Sequence, residues 1–285
     1  METTNRVKRS VLGWIGLYIL VVIGALIILV PIFWMLTIAL RPSNELYITP
    51  FPLLPPTPTF GNFIDVLLNR TAIPAHLEQG VVRSLIVAVS TTVLSVVIAS
   101  LAAYALARFD FRGRETYGLF MLVTQMMPAI LFLVPLFEIL RGIGLVNTLP
   151  GLILSYLTFS LPFCIWLLRG YFEALSPDLE WAAMTDGCSR LQAMIRITLP
   201  LATPALVATG AFAFINAWNE FLFAFILDGQ QPLLPVQLYG FIGQYGPQYG
   251  DLMAAAILVA LPPVILFVVM QRHLVRGLTA GAVKG

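Results

Sequence analysis

The stretch Ser176-Pro-Asp-Leu-Glu-Trp-Ala-Ala-Met-Thr-Asp-Gly-Cys-Ser-Arg-Leu-Gln-Ala-Met-Ile-Arg-Ile-Thr-Leu-Pro200 is polar and lies between long apolar segments. Ser176 is a good helix N-cap, and Asp178 suits the positive start of a helix. Gly187 can adopt the left-handed conformation that ends a helix, and Ser189 can cap the next one. The pattern therefore predicts a helix, a turn and a second helix. An ordinary amphipathic loop between membrane spans explains the pattern equally well.

The same stretch resembles the conserved cytoplasmic loop of ABC-importer permeases. That loop reads Glu-Ala-Ala, three residues, Gly, nine residues, Ile-x-Leu-Pro, and its spacing is matched by Ala182-Ala183, Gly187 and Ile197-Thr198-Leu199-Pro200. Where the family usually has its glutamate this sequence has Trp181, and Glu180 stands one position earlier. One helical position turns a side chain by about 100°. The resemblance therefore implies a docking helix whose usual charged contact is altered.

The composition is that of an integral membrane protein. Of the 285 residues, 59% are hydrophobic and 11% are charged, whereas soluble proteins have about 25% charged residues. The net charge of +2 gives no indication of nucleic acid binding. Two cysteines, Cys164 and Cys188, are too few for a disulfide framework or a metal site, so we expect no bound metal.

Six apolar runs predict an all-α fold with six transmembrane helices, because each run approaches or exceeds the ~20 residues that cross a bilayer. The predicted spans are Val11–Leu40, Ser84–Ala107, Thr116–Phe137, Gly151–Leu168, Thr203–Leu227 and Leu252–Gln271. The expected organisation is an N-terminal segment (1–10), a membrane domain (11–275) and a tail (276–285). The coupling loop, about 173–200, joins the fourth and fifth spans.

The basic residues predict the orientation of these spans. Twelve lie on the side of the N-terminus: Arg6, Lys8, Arg9, Arg108, Arg112, Arg114, Arg169, Arg190, Arg196, Arg272, Arg276 and Lys284. Four lie on the other side: Arg41, Arg70, Arg83 and Arg141. The positive-inside rule therefore puts both termini and the central loop in the cytoplasm. The first apolar run is much longer than the core of a signal peptide and indicates a retained anchor.

Polar residues inside the predicted spans are candidates for a translocation path. Asn216, Asn219 and Glu220 are spaced three and four positions apart, so on a continuous helix they share one face. Such groups are costly in a membrane unless they face the bundle interior or an aqueous cavity. With Gln125 of the third span, they would suit a hydroxyl-rich solute. Hydrogen bonding between helices is an equally good explanation.

The outer segment from Asp228 to Gly250 is rich in Gly, Gln, Tyr and Pro. Tyr and Gln combine flat apolar faces with hydrogen-bonding tips, which suits contact with a sugar or a protein. The candidates for contact with an external binding protein are Gln237, Tyr239, Gln244 and Tyr245. A plain solvated loop is the alternative.

The sequence gives no indication of an enzyme. ATP hydrolysis needs a phosphate-binding loop of the form Gly-x4-Gly-Lys-Ser/Thr, and neither Lys8 nor Lys284 lies in one. No His-Glu-x-x-His helix or Gly-x-Ser-x-Gly turn is present. We therefore expect no cofactor on this chain. The resemblance to ABC-importer permeases implies that a partner ATPase binds ATP and Mg²⁺.

Further motifs extend the resemblance over essentially the whole chain. Ala217-Trp-Asn-Glu-Phe and the glycine-spaced C-terminus resemble carbohydrate permeases of the maltose-importer type. The resemblance implies a bacterial inner-membrane subunit, surrounded by lipid, that pairs with a second homologous permease, two ATPase subunits and an external sugar-binding protein. It also implies a set of ATPase-docking residues: Glu180, Trp181, Ala182, Ala183, Asp186 and Gly187.

Two other functions are compatible with the sequence. One is an ABC permease for another polar solute, such as a polyol or a glycerol phosphate. The other is a self-contained secondary transporter in which Glu220 couples transport to protons. Six spans are few for such a transporter, and a capped cytoplasmic helix pair has no evident use in it.

Overall fold

The computed structural model describes residues 11–46, 48–50, 52–71, 77–229, 232–242 and 248–282, and the regular structure within these ranges is helical throughout. The α-helices are α1 Val11–Ala39, α2 Gly61–Leu67, α3 Leu77–Arg108, α4 Arg114–Met126, α5 Leu133–Gly142, α6 Leu149–Ala174, α7 Asp178–Thr185, α8 Arg190–Ala193, α9 Leu199–Leu201, α10 Thr203–Asn219, α11 Leu222–Leu227, α12 Leu234–Gly240 and α13 Tyr249–Ala282. A π-helical turn, Met194–Thr198, precedes α9, and 3₁₀ turns span Ser43–Glu45 and Ala129–Phe132.

Four segments are single helices long and apolar enough to cross a membrane: Gly13–Ala39 in α1, α3, α6 and Tyr249–Gln271 in α13. Two further apolar segments are bent pairs of helices. Arg114–Met126 meets Ala129–Gly142 at 99°, and Arg190–Leu201 meets Thr203–Asn219 at 79°. The described chain therefore has four candidate spans, or six if each bent pair counts as one.

The prediction of an all-α membrane protein is confirmed, but the third and fifth predicted spans are not continuous helices. In the third, Met127 is extended (φ −79°, ψ 133°) because it precedes Pro128, whose ring disfavours helical backbone in the residue before it. In the fifth, α10 ends at Asn219 and Glu220 is extended (φ −72°, ψ 121°). Both breaks fall beside predicted path residues.

The chain forms two compact units. One contains α1, α2 and the start of α13 up to residue 258, and the other contains α3 to α12 and the rest of α13. In the first unit the Asn62 amide of α2 donates to the carbonyls of Ala39 (2.8 Å) and Arg41 (2.9 Å). Gly250 of α13 packs on Asn62, where a Cβ atom would lie 2.7 Å from Nδ2. These contacts satisfy carbonyls at the end of α1.

The core of the second unit is the contact of α3, α6 and α10. Small buried side chains line it, including Ala99 and Ala103 of α3, Cys164 of α6 and Ala213 of α10. Apolar side chains gain nothing by leaving lipid for protein, so close packing of small residues stabilises such contacts. Buried hydroxyl groups of Ser95 and Ser160, 2.7 Å apart, add a hydrogen bond between α3 and α6.

Ion pairs join the start of α4 to the end of α6. Arg114 contacts Glu173 at 2.8 Å, and Arg169 contacts both Glu115 (2.7 Å) and Glu173 (2.8 Å). The Arg169 guanidinium also lies over Gly118, where an added Cβ atom would meet Nη1. Isolated surface pairs contribute little, but a shared network fixes geometry. The network holds α4 against α6 next to the predicted coupling loop.

Candidate functional site: the coupling loop and the polar breaks

The loop that follows α6 forms the predicted helix, turn and second helix. The N–H of Asp178 donates to the Ser176 hydroxyl at 3.3 Å, at the start of α7. At the other end Gly187 has φ +93°, and the N–H of Cys188 donates to the Ala183 carbonyl at 3.0 Å. A left-handed residue is needed for this closure, and glycine adopts it without steric cost.

A reciprocal capping box starts α8. The Ser189 hydroxyl accepts from the N–H of Gln192 at 3.3 Å, and the Gln192 side chain accepts from the N–H of Ser189 at 2.9 Å. The prediction that Ser189 caps this helix is confirmed. The helix then loosens into the π-helical turn Met194–Thr198, an irregularity often found at functional sites.

The side chain of Glu180 points into the chain and is 5% exposed. Oε2 accepts from the Tyr104 hydroxyl at 2.7 Å, and Oε1 accepts from Arg108 Nε and the Thr198 hydroxyl, both at 2.8 Å. Arg108 also donates through Nη2 to the Leu175 carbonyl at 3.1 Å. One carboxylate therefore joins α3, α7 and the π-helical turn.

The surroundings of Glu180 favour its charged form. Burial alone raises the pKa of the carboxyl, but the hydrogen bonds from Tyr104, Arg108 and Thr198 outweigh burial, and its pKa lies below the usual value. Glu180 is therefore ionised at neutral pH and paired with Arg108.

The other predicted docking residues lie mainly on the surface of the loop. Trp181 is 57% exposed, Ala182, Asp186 and Gly187 are also exposed, and Ala183 is half-buried. Glu180 differs from the expectation that it would face a partner, because one helical position turns it away from Trp181 and towards α3. We therefore leave Glu180 out of the docking face.

Sequence reasoning missed the three donors to Glu180. Tyr104 and Arg108 stand four positions apart, so they project from one side of the last turns of α3. This spacing at the end of an apolar run was the available signal. Thr198 occupies the variable position x of the matched Ile-x-Leu-Pro motif, and the motif assigns no role to that position.

Glu220 does not share a helix face with Asn216 and Asn219, contrary to the prediction. Its carboxylate accepts from the N–H groups of Phe223 and Ala224, each at 3.1 Å, and so caps α11. The free N–H groups at a helix start attract a carboxylate, so Glu220 satisfies donors of α11 that have no partner within the helix.

The predicted amides of the path are exposed. Asn216 donates to the Phe212 carbonyl of its own helix at 2.8 Å, and Asn219 ends α10 with its side chain exposed. Gln125, one residue before the end of α4, donates to the Phe159 carbonyl at 2.9 Å. The Phe159 ring lies 4.8 Å from the ring of Phe223, whose N–H group Glu220 caps. The breaks at α4 and α10 therefore border the same residue of α6.

The structure contains another buried acidic group, Asp228, that the sequence does not predict. Asp228 is 1% exposed and forms an ion pair with Arg83 of α3. Tyr156 of α6 is also buried, and its phenol lies near the carboxylates of Glu220 and Asp228. Buried ionised groups are paired or solvated. The pair therefore fixes the end of α11 against α3.

The predicted binding-protein contacts are only partly described. Gln237 lies on α12 and packs against Gly80 of α3. Tyr239 is exposed, and its ring lies 5.7 Å from that of Phe221 and 5.9 Å from that of Phe225. Gln244 and Tyr245 lie outside the described residues.

Comparisons with known proteins identify the chain as a transport permease. A bacterial ABC transporter involved in the import of the acidic polysaccharide alginate has the same fold, with a TM-score of 0.76 and 24% identity over 92% of this chain and 96% of that one. The profile of the family described as binding-protein-dependent transport system inner membrane component matches residues 95–280. The chain belongs to this family.

Two relatives described as permease proteins align with this chain over nearly their whole length. The diacetylchitobiose uptake system permease protein DasC of Streptomyces coelicolor is 39% identical over 98% of this chain and 100% of its own. The trehalose/maltose transport system permease protein MalG of Thermococcus litoralis is 38% identical over 98% of this chain and 99% of its own. The chain is therefore a multi-pass transport subunit of the inner membrane and not itself an enzyme.

Proposed function

We propose that this chain is one of two transmembrane subunits of an ATP-driven sugar importer and receives its solute from an external binding protein. The observation that carries the proposal is the α7–α8 segment, a capped helix pair anchored to the bundle through Glu180 with Trp181 exposed. A loop that only connected two spans would need neither the anchor nor the exposed aromatic side chain.

Two lines of support favour a sugar as the solute. DasC and MalG are described as permeases for diacetylchitobiose and for trehalose/maltose, and each aligns with this chain over nearly its full length. In this chain Asn216 and Asn219 are exposed beside the break after α10, and Gln125 is exposed beside the break after α4. Amides donate and accept hydrogen bonds, as sugar hydroxyl groups do. These three side chains would line half of the path.

The cytoplasmic contact would be made by the exposed face of α7 and its turn. Its members are Trp181, Ala182, Asp186 and Gly187, with Ala183 at the edge. ATP and Mg²⁺ would be bound by the two ATPase subunits, and a second permease would complete the path. On the outer side Gln237 and Tyr239, with Gln244 and Tyr245, would meet the binding protein. Both termini would then be cytoplasmic, as the basic residues indicate.

The test is reconstitution. The chain is purified in mild detergent with its co-purifying subunits, placed in liposomes, and assayed for solute uptake and ATPase activity with a panel of sugars, polyols and glycerol phosphates. Uptake of a sugar that needs ATP and the loaded binding protein is the expected result. Uptake by this chain alone under a proton gradient would overturn the proposal and favour proton coupling through Glu220. ATP-driven uptake of a polyol or glycerol phosphate alone would overturn the sugar assignment.

A further inference from the structure

The Glu180 carboxylate joins parts of the chain that are far apart in sequence. Its partners Tyr104 and Arg108 end α3, 76 and 72 positions earlier, and Thr198 closes the π-helical turn 18 positions later. Both carboxylate oxygens are engaged, since Oε2 accepts one hydrogen bond and Oε1 accepts two. Hydrogen bonds to charged groups are shorter and stronger than neutral ones. This contact, which we call the Glu180 joint, therefore restrains α7 relative to α3 and the π-helical turn.

We infer that Glu180 is a positioning residue that passes movement of α7 directly into α3 and the π-helical turn, an inference that rests on the proposed function. Besides this contact, the chain itself joins α7 to the membrane helices through Leu175–Pro177 and through the turn after Thr185, and α7 packs against α8 and the π-helical turn. A flexible connection lets a helix move without displacing its neighbours. A carboxylate that accepts hydrogen bonds from three donors does not allow this independent movement.

Arg108 also connects Glu180 to the residue that follows α6. The same guanidinium that pairs with Glu180 through Nε donates through Nη2 to the carbonyl of Leu175, the residue after α6 ends. The Arg108 side chain therefore holds both the Glu180 carboxylate and Leu175, which lies in the linker between α6 and α7. Movement of α7 relative to α3 would have to break the contact with Glu180, and movement of Leu175 together with α7 would break the second contact as well.

The helix that receives the movement reaches the opposite end of the bundle. α3 has 32 residues and is about 48 Å long at 1.5 Å per residue. Along its length it contacts α6 through Ser95, and near its start Arg83 pairs with Asp228, just after α11. A displacement at Tyr104 would therefore bias the position of the break at Glu220. Coupling of this kind requires a structural element with two alternative arrangements, and the contacts at both of its ends must favour one arrangement over the other.

The first experiment compares Glu180→Gln with Asp110→Asn. Glu180→Gln preserves the shape of the side chain and removes its charge. Asp110→Asn makes the same chemical change at a fully exposed position two residues beyond α3, where the carboxylate forms a surface pair with Arg114 at 3.0 Å that contributes little to stability. The complete importer is reconstituted in liposomes, and the readout is the number of solute molecules imported per ATP hydrolysed. We expect Glu180→Gln to lower this ratio at least fivefold while the ATPase subunits still co-purify, and Asp110→Asn to leave it unchanged.

A second pair of variants tests one contact with smaller changes. Thr198→Val keeps the volume of the side chain and removes the hydroxyl that donates to Glu180, whereas Thr198→Ser keeps the hydroxyl. We expect Thr198→Val to lower the coupling ratio and Thr198→Ser to retain it. A purely structural role would lower the yield of the complex without changing the ratio for the complex that forms.

The outcomes separate the inference from the proposed function. If the unmodified complex shows no ATP-driven uptake, the proposed function fails and the inference fails with it. If the unmodified complex transports and Glu180→Gln keeps its coupling ratio, the inference alone is overturned. If Glu180→Gln fails to assemble, the Thr198 pair decides, and equal ratios for Val and Ser overturn the inference.

Discussion

The hydroxyl of Tyr104 donates to the carboxylate of Glu180 at 2.7 Å and joins the last turns of α3 to α7. The two residues are 76 positions apart, and both are buried. The helix that resembles an ATPase-docking element is thus held by its own chain on one side and exposed at Trp181 on the other. This two-sided arrangement leads to the first prediction.

The contribution of Glu180 to stability depends on pH. Its pKa is lower in the folded protein than in the unfolded chain, so the stabilisation is fully present above the unfolded value of about 4.3 and is lost as pH falls through the folded value. We expect Glu180→Gln to lower the melting temperature in detergent at pH 7, and the difference from the unmodified protein to shrink below about pH 4.3. Thermal unfolding of both proteins at a series of pH values measures this, and a difference independent of pH would contradict the assignment.

The turn after α7 should favour glycine at its left-handed position. Gly187 has φ +93°, where an alanine costs about 1 kcal/mol. Gly187→Ala is therefore expected to lower the free energy of unfolding by about this amount and to weaken ATPase binding. Denaturant titration and co-purification measure the two effects.

A matched glycine provides the control for Gly187. Gly170 lies inside α6, and a Cβ atom added there would have nothing within 4 Å, so Gly170→Ala should be neutral or stabilising. Equal losses of stability for the two variants would show that the left-handed turn is not the cause.

The hydrogen bond between Ser95 and Ser160 should be measurable as a coupling energy. Both side chains are buried, and their hydroxyl oxygens are 2.7 Å apart. Removing one hydroxyl leaves the other without this partner, so the effects of Ser95→Ala and Ser160→Ala should not add. We expect a double-mutant cycle to give a coupling of about 0.6 kcal/mol, the average for such contacts in membranes. A coupling of zero would mean that packing alone joins α3 and α6.

Local signals made the coupling loop predictable. The caps at Gly187 and Ser189 act through backbone groups within a few residues, so the pattern alone determines where α7 ends and α8 begins. The partners of Glu180 were not predictable in this way. They come from Tyr104 and Arg108 on a distant helix, and neighbouring positions in a sequence do not reveal which distant helix packs against a loop.

The breaks in the third and fifth predicted spans also could not be predicted fully from the sequence. Pro128 indicates an irregular backbone in the third span, but a proline alone does not specify the 99° angle between the two helices. The break after Asn219 has neither proline nor glycine to mark it. It arises because the Glu220 carboxylate gains the N–H groups of Phe223 and Ala224, a gain that helical periodicity does not include.

The exposed amides at the breaks should be reachable from water during transport. In a background with Cys188→Ser, which removes the partly exposed native thiol and leaves the buried Cys164, we expect Asn216→Cys and Asn219→Cys to react with a charged thiol reagent in the assembled complex. The reaction rates should differ between nucleotide-free and ATP-bound states, because an alternating-access path opens to one side at a time. Labelling followed by mass spectrometry measures the rates, and the control is Ala213→Cys, a buried position on the same helix that should stay unreactive. If both asparagine positions stay unreactive in both states, the path does not pass α10.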